Sequence, residues 1–542
     1  MRRNPLKLLR VVAATVVFAG LTAALIDFRG AVPWLVGHTL ASIQLVPSLV
    51  ALCTGASLAL AGLVFLGLTL AFGRVYCSAI CPLGILQDVI ARVAGWLRRG
   101  KPTYARFARP WTRLRWIVLG ATVAGIATGG AGLTLALLED PYSNYGRIAA
   151  DLFRPAATLA NNALVGPASA LGITALYRVA PAWTSGLVLH QPVILLGLLV
   201  VLVAFRGRLY CNTLCPVGTL LGWLADRAAF RLAIDPGACT KCAACLKVCK
   251  SQCLDLRTST IDFSRCVACY NCIGACDRQG IGYRFAWRRG AARPLPSAPP
   301  ADATAACGPD RRAFLAGAAT VLTVSLGAAL TPALRGQAAP AAAPAGRGGR
   351  PPNRQDDAPV ILPPGAGSLD RFLDRCTSCH LCVSACPTHV LTPAFLEAGW
   401  AGLLKPRMDF SIAFCNYECR ICGAVCPDGA IAPLVLAEKQ LTQIGQAHFD
   451  REKCIVVVKG TDCAACSEHC PTKAVNTVPY GNNLRLPEVN DDLCIGCGAC
   501  EFACPVQPRK AIVVTGRRRH GRATKAVESK AVAPVPAGDF PF

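Results

Sequence analysis

Residues 73–84 read GRVYCSAICPLG, and residues 207–218 read GRLYCNTLCPVG. One frame, GRxYCxxxCPxG, is written twice in a chain of 542 residues. A repeated phrase marks two copies of one structural unit, so the stretch leading into each copy decides the fold. Each copy follows a long apolar segment. Stretches at about 8–26, 47–72, 116–138 and 187–205 approach or exceed the roughly 20 apolar residues that cross a bilayer. A weaker, Ala- and Gly-rich stretch lies at 313–334. Mean hydropathy is +0.42 and 53% of residues are apolar, above the soluble average.

The net charge of +25 does not indicate nucleic acid, because many of the cations sit in loops beside apolar stretches. The loop 73–115 holds nine Lys or Arg against one acid, Asp88, whereas 139–186 balances Arg147, Arg154 and Arg178 with Glu139, Asp140 and Asp151. The positive-inside rule then places the N-terminus, 73–115 and 206–312 in the cytoplasm, with 27–46 and 139–186 outside. Both dodecamers fall at the inner surface, at the ends of two parallel helix hairpins. Repeats of this kind build shared sites at their interface.

The 31 cysteines are clustered. CTKCAACLKVC supplies Cys239, Cys242, Cys245 and Cys249, and CVACYNCIGAC supplies Cys266, Cys269, Cys272 and Cys276. Four more runs end in Cys-Pro: Cys376, Cys379, Cys382, Cys386; Cys415, Cys419, Cys422, Cys426; Cys454, Cys463, Cys466, Cys470; and Cys494, Cys497, Cys500, Cys504. C-x2-C-x2-C-x3-C places soft thiolates in a tight loop suited to [4Fe–4S] clusters, six in all. In two-cluster ferredoxins the fourth Cys of each run serves the other cluster, which would join Cys276 to the first run and Cys249 to the second. The proline that usually follows is replaced by Lys250 and Asp277. Zinc and disulfides are the competing readings. Zinc sites more often pair two C-x2-C units across a longer spacer. Cys53, Cys253 and Cys307 are left over and read as packed small hydrophobes.

DRRAFLAG at 310–317 precedes the weak apolar stretch and resembles a twin-arginine export signal. Clusters form in folded domains, so export after folding suits the cysteine-rich region at 370–505. The expected organisation is a four-span membrane domain at 1–230, a cytoplasmic two-cluster domain at 231–287 and a linker at 288–312. Then come a signal or anchor helix at 313–334, a flexible Ala/Pro/Gly linker at 335–369, a periplasmic four-cluster domain at 370–514 and a disordered tail at 515–542. The fold class is a membrane α-helical bundle of four spans in two repeated hairpins, plus a fifth helix, carrying α+β ferredoxin-like domains.

On these motifs the first part, about 1–290, resembles NapH/MauN-type membrane ferredoxin proteins. The second, about 310–510, resembles NapG/MauM-type exported ferredoxin proteins, and the chain resembles the two fused in that order. The resemblance implies a quinol dehydrogenase of the bacterial cytoplasmic membrane. It would pass electrons to a periplasmic cytochrome or reductase of a nitrate- or methylamine-type system.

The paired motifs bring a separate expectation. Cys77, Cys81, Cys211 and Cys215 can meet at one site, as a redox metal centre, a seventh cluster or merely buried thiols in a turn. The proline after each second cysteine suits the first turn of a following helix. Quinol oxidation also needs a proton acceptor. His38 and His190 are the outer candidates, near Asp27, Glu139 and Asp140, and Asp88 is the inner one. Two other functions compete: a maturation or docking scaffold for a periplasmic redox enzyme, and a relay fed by a cytoplasmic donor.

Overall fold

The computed structural model describes residues 4–53, 60–98, 107–172, 174–181, 186–285 and 359–525. Helix α1 (Pro5–Ile26) starts where Asn4 accepts the Leu6 N–H at 3.0 Å and proline takes the first turn. Leu21 and Leu25 are buried on one face, while Leu8, Leu9 and Val16 lie exposed on the other. Helix α2 (Trp34–Ser42) packs back against α1, with Gly37 against Ala24.

The apolar stretch expected to span at 47–72 is instead two helices, α3 (Leu45–Cys53) and α4 (Leu60–Phe72). They lie side by side, Gly62 against Ser48 and Leu49, so small residues permit a close hairpin where hydropathy alone suggests one rod. Helix α5 (Tyr76–Ala79) and helix α6 (Pro82–Leu97) carry the first dodecamer.

The stretch 116–138 is broken as well. It forms α7 (Thr112–Thr128) and α8 (Gly130–Leu137), which fold back on each other. Gly129 and Gly130 have φ of 65° and 49°, a conformation that ends a right-handed helix and that side chains rarely adopt. Helix α9 (Pro141–Ile148) is buried throughout and capped by Asp140, which accepts the Ser143 N–H at 2.8 Å. A π-helical turn at Ala149–Phe153 leads into α10 (Arg154–Ala170). Helix α11 (Gly186–Arg206) then runs into α12 (Leu209–Thr213) and α13 (Pro216–Ala225), which hold the second dodecamer. Among the described residues, two helices, α1 and α11, are long and apolar enough to cross a membrane. The expected bundle of four continuous spans is therefore corrected to two such helices and several shorter, paired ones. The expected helix at 313–334 and the linker at 288–312 lie outside the described residues.

The first cysteine-rich unit is closed by strand β1 (Phe230–Ile234), antiparallel to β4 (Ile281–Phe285), around the short pair β2 (Leu254–Asp255) and β3 (Thr260–Ile261). It seats on the end of α4: Ala229 N–H donates to Leu70 O and the Tyr283 hydroxyl to Phe72 O, each at 2.8 Å. Phe230 stacks between Phe72 and Tyr283.

The C-terminal unit holds three antiparallel pairs: β5 (Leu391–Pro393) with β6 (Pro406–Met408), β7 (Thr442–Phe449) with β10 (Ile512–Arg522), and β8 (Val475–Tyr480) with β9 (Leu484–Val489). Two boundaries move. Residues 515–522, expected as tail, continue β10 because β7 offers an edge as far as Thr442; the register slips between Gly516 and Gly521. The expected linker ends early, since Val360, Ile361 and Leu362 are 5%, 3% and 1% exposed and Met408 N–H donates to Ile361 O.

Helix α1 relates the two units. Near its start Arg10 lies 3.5 Å from Asp88, which also binds Lys250 of the first unit. Near its end Ala24 borders Gly37, which touches Leu381 of the second unit. At 1.5 Å per residue these points are about 21 Å apart along the axis. The cysteine-rich units thus dock at opposite ends of the helical core.

Candidate iron–sulfur sites

In four runs the residues flanking the second cysteine adopt positive φ: Lys241 and Ala243, Ala268 and Tyr270, Ser378 and His380, Gly496 and Gly498. Six of these eight are not glycine, and such conformations persist only where the surroundings enforce them. Alternation of right- and left-handed residues turns successive N–H groups inward, forming a nest for an anion such as a cluster. The stretched gaps abolish the pattern: Arg420 and Ala464 have φ of −132° and −121°.

The thiols gather in fours. Cys239, Cys242 and Cys245 share one cavity with Cys276, and Cys266, Cys269 and Cys272 share another with Cys249. Cys415, Cys419 and Cys422 share a cavity with Cys386, and Cys454, Cys463 and Cys466 share one with Cys504. Cys376, Cys379 and Cys382 neighbour Cys426, while Cys494, Cys497 and Cys500 neighbour Cys470. Each set takes three cysteines from one run and one from its partner, and this donor set fits a [4Fe–4S] cubane. The third run pairs with the fourth and the fifth with the sixth. The two pairs meet where Cys415 N–H donates to Cys497 O at 2.9 Å. Burial pushes the Cys376, Cys379 and Cys426 thiols up to about 12, so iron must displace protons to bind there.

Of the leftover cysteines, Cys253 is more than a packed hydrophobe. It lines the Cys249/Cys266/Cys269/Cys272 cavity, its sulfur 3.7 Å from that of Cys249. The Cys53 side chain and Cys307 lie outside the described residues.

The dodecamers converge. Cys77 lies in α5 and Cys211 in α12, while Cys81 and Cys215 are the N-caps of α6 and α13, with Pro82 and Pro216 in the first turns. The two halves clasp each other reciprocally. Arg74 donates to Cys211 O at 3.2 Å and Arg208 donates to Cys77 O at 2.6 Å. A Cβ at Gly84 would lie 2.4 Å from Cys77 O, and one at Gly218 would lie 2.2 Å from Cys211 O, so the last letter of each frame must be glycine.

The candidate proton acceptors separate. Asp88 is committed: Arg208 and Lys250 reach its Oδ2 at 2.8 and 2.7 Å, and Arg10 adds a third cation. A carboxylate so paired is a poor base. His38 sits at the joint with the second unit, its Nε2 3.5 Å from Ser42 Oγ. His190 turns to Leu187 O at 3.3 Å in the first turn of α11. Asp27 accepts from Arg29 and Val32 backbone N–H groups beside an open apolar groove lined by Phe18, Thr22 and Ile26. Glu139 accepts from Thr122.

Sequence reasoning missed the joint between the helical core and the second unit. His380 pairs with Asp151 at 3.0 Å, the side chains 0% and 1% exposed, and its other nitrogen lies 2.9 Å from Leu404 O. The buried Tyr142 phenol faces Cys379. No local pattern announces contacts between residues more than 200 positions apart.

His520 in β10 bears on stability. Among the described residues neither ring nitrogen has a hydrogen-bond partner, and burial lowers it from 6.5 to about 4. Folding therefore favours the neutral ring. The contribution is present above pH 6.5 and is lost as pH falls toward 4, a difference of about 3 kcal/mol. In His520→Gln the drop in unfolding temperature between pH 7 and pH 4.5 should shrink relative to the parent. An unchanged drop would contradict this account.

A family model described as a 4Fe-4S binding domain matches residues 54–103 and 191–233, and a second of the same description matches 371–392 and 487–510. With the clustered thiols, these matches define an iron–sulfur electron-transfer protein of ferredoxin type. The chain is 32% identical over 162 residues to the methylamine utilization ferredoxin-type protein MauM of Methylorubrum extorquens, covering 27% of this chain and 69% of that one. It is 31% identical over 162 residues to the ferredoxin-type protein NapG of Escherichia coli K12, covering 27% and 67%. To the ferredoxin-type protein NapF of the same strain it is 29% identical over 146 residues, covering 27% and 80%. The chain belongs to the MauM/NapG family of ferredoxin-type proteins. No solved structure matches it.

Proposed function

We propose that the protein is a membrane-bound quinol dehydrogenase carrying six [4Fe–4S] clusters, one for each cysteine run. Two would lie on the cytoplasmic side and four outside, with quinol as donor and a periplasmic cytochrome or reductase as acceptor. The observation that carries this reading is the docking of two cysteine-rich units at opposite ends of an apolar helical core. The positive-inside charge pattern and the resemblance of residues 1–290 to NapH/MauN-type proteins support it further.

This chain's residues have defined tasks. The cysteine sets hold and space the clusters, which supply one-electron carriage when bound. The nests and N–H···S contacts, such as Ile431 N–H to Cys426 Sγ at 3.4 Å, favour the thiolate and tune potential. His38 and His190, with Asp27 and Glu139 among the nearby carboxylates, are the remaining candidates to take quinol protons. Adding quinol to anaerobic membranes should bleach the cluster absorbance and raise cluster EPR signals, and a quinone-site inhibitor should block both. Clusters that stay oxidised with every native quinol, yet reduce with dithionite, would overturn the reading.

A further inference from the structure

The thiols of Cys77, Cys81, Cys211 and Cys215 are 3–4% exposed, and the polar groups that touch them are donors or cations. Arg74 is 0% exposed. Its guanidinium donates to Asn212 Oδ1 at 2.9 Å, to Ser264 O at 3.2 Å and to Cys211 O at 3.2 Å, and lies 3.8 Å from Cys77 Sγ. Among the described residues no carboxylate pairs with it, and its Nε has no partner. A buried guanidinium needs an anion, and among the described residues the candidates within reach are the sulfurs. Gln87 Nε2 lies 3.1 Å from Cys211 Sγ, and Gly218 N–H donates to Cys215 Sγ at 3.3 Å. Cys81 and Cys215 also sit on the positive N-terminal ends of α6 and α13. The sulfurs thus face hydrogen-bond donors and positive charge.

The identity of the bound group comes from the comparison with known domains. The first 4Fe-4S family match, at 54–103 and 191–233, contains only these four cysteines.

We infer that Cys77, Cys81, Cys211 and Cys215 hold a further [4Fe–4S] cluster, two ligands from each repeat, with Arg74 balancing its charge, and that it relays electrons between the two cysteine-rich units. The relay rests on the function proposed above. On one side, Arg208 N–H donates to Lys250 O at 3.0 Å, next to Cys249, and Arg74 holds Ser264 two residues before Cys266. On the other side, Tyr210, which precedes Cys211, receives Asn144 Nδ2 at 3.4 Å. Asn144 lies in α9 between Tyr142, which faces Cys379, and Gly146, where a Cβ would sit 2.2 Å from Cys379 O. The central site therefore lies between the Cys249 set and the Cys379 set. Each step moves one electron and no proton: one cluster passes from 1+ to 2+ as the next passes from 2+ to 1+. Quinol, becoming quinone, releases two protons and two electrons, which the clusters carry singly.

The test uses the full chain purified anaerobically. Iron, acid-labile sulfide and Mössbauer area should correspond to seven clusters, falling to six in Cys77→Ser/Cys211→Ser. In that variant, reduction should stop at one unit when a membrane-impermeant reductant is supplied to the other unit's side of sealed vesicles. Six clusters in the parent, zinc at the site, or an unchanged count in the variant would overturn the inference, as would reduction of both units at parental rate. Should the double variant not assemble, Arg74→Met keeps every thiol. It should lower the potential of one cluster and leave the iron count at seven; no shifted cluster would overturn the proposal. The iron count needs no quinol. Seven clusters that quinol fails to reduce would sink the quinol reading and leave the central site standing.

Discussion

Cys426→Ala should abolish the cluster held by the preceding run, not its own. Cys426 closes the set Cys376, Cys379 and Cys382, whereas Cys415, Cys419 and Cys422 face Cys386. The loss should be one whole cluster of iron and sulfide per chain. The decisive readout is spectral identity. The reduced EPR spectrum of Cys426→Ala should match that of Cys379→Ala, and that of Cys386→Ala should match that of Cys422→Ala. A Cys426→Ala spectrum matching Cys422→Ala would refute the pairing. The same logic predicts that Cys276→Ala and Cys242→Ala are equivalent. Thiols that burial holds protonated bind iron only as a set, so removing one member removes the site.

Asp88→Ala should cost about 3–5 kcal/mol, the range for stranding a buried charge. Asp88 is the sole carboxylate for Arg208 among the described residues; that arginine's side chain is 2% exposed, and Asp88 also holds Lys250 and Arg10. Four parts of the chain meet on this side chain: the start of α1, α6, the second dodecamer and the first cysteine-rich unit. The variant should unfold at markedly lower temperature in detergent and release the Cys249-side clusters first. Asp88→Ala/Lys250→Met should recover part of the loss, because one stranded cation is gone. A fall in stability no larger than that of an exposed ion pair, about 1 kcal/mol or less, would show that Asp88 does not organise this joint.

Much of the chemistry was legible because it depends on local spacing. A C-x2-C-x2-C-x3-C loop brings three thiols together within one turn of chain, whereas Cys249 and Cys276 reach the other run's set only through the fold. The dodecamers announced a shared site because identical words on two repeats imply matching halves. Hydropathy failed at 47–72 and 116–138 for an equally physical reason. It measures apolarity, and Gly129–Gly130 or the Gly62 contact redirects a helix without making it polar. The boundary expected at 515 moved because a basic strand gains its stability from β7, which is 70 or so residues away in sequence.

By itself, then, the sequence determined the ligand chemistry, the number of cysteine runs and the repeated frame, since each is encoded within about a dozen consecutive residues. Only the tertiary structure decided how the four later runs pair, that Asp88 is already committed to cations, and that the four dodecamer thiols lie between the two units. Those facts rest on contacts such as Arg74 to Cys211, Cys386 to Cys415 and Gly146 to Cys379. Such contacts exist only once distant segments are packed, and no local pattern of residues specifies which of them will meet.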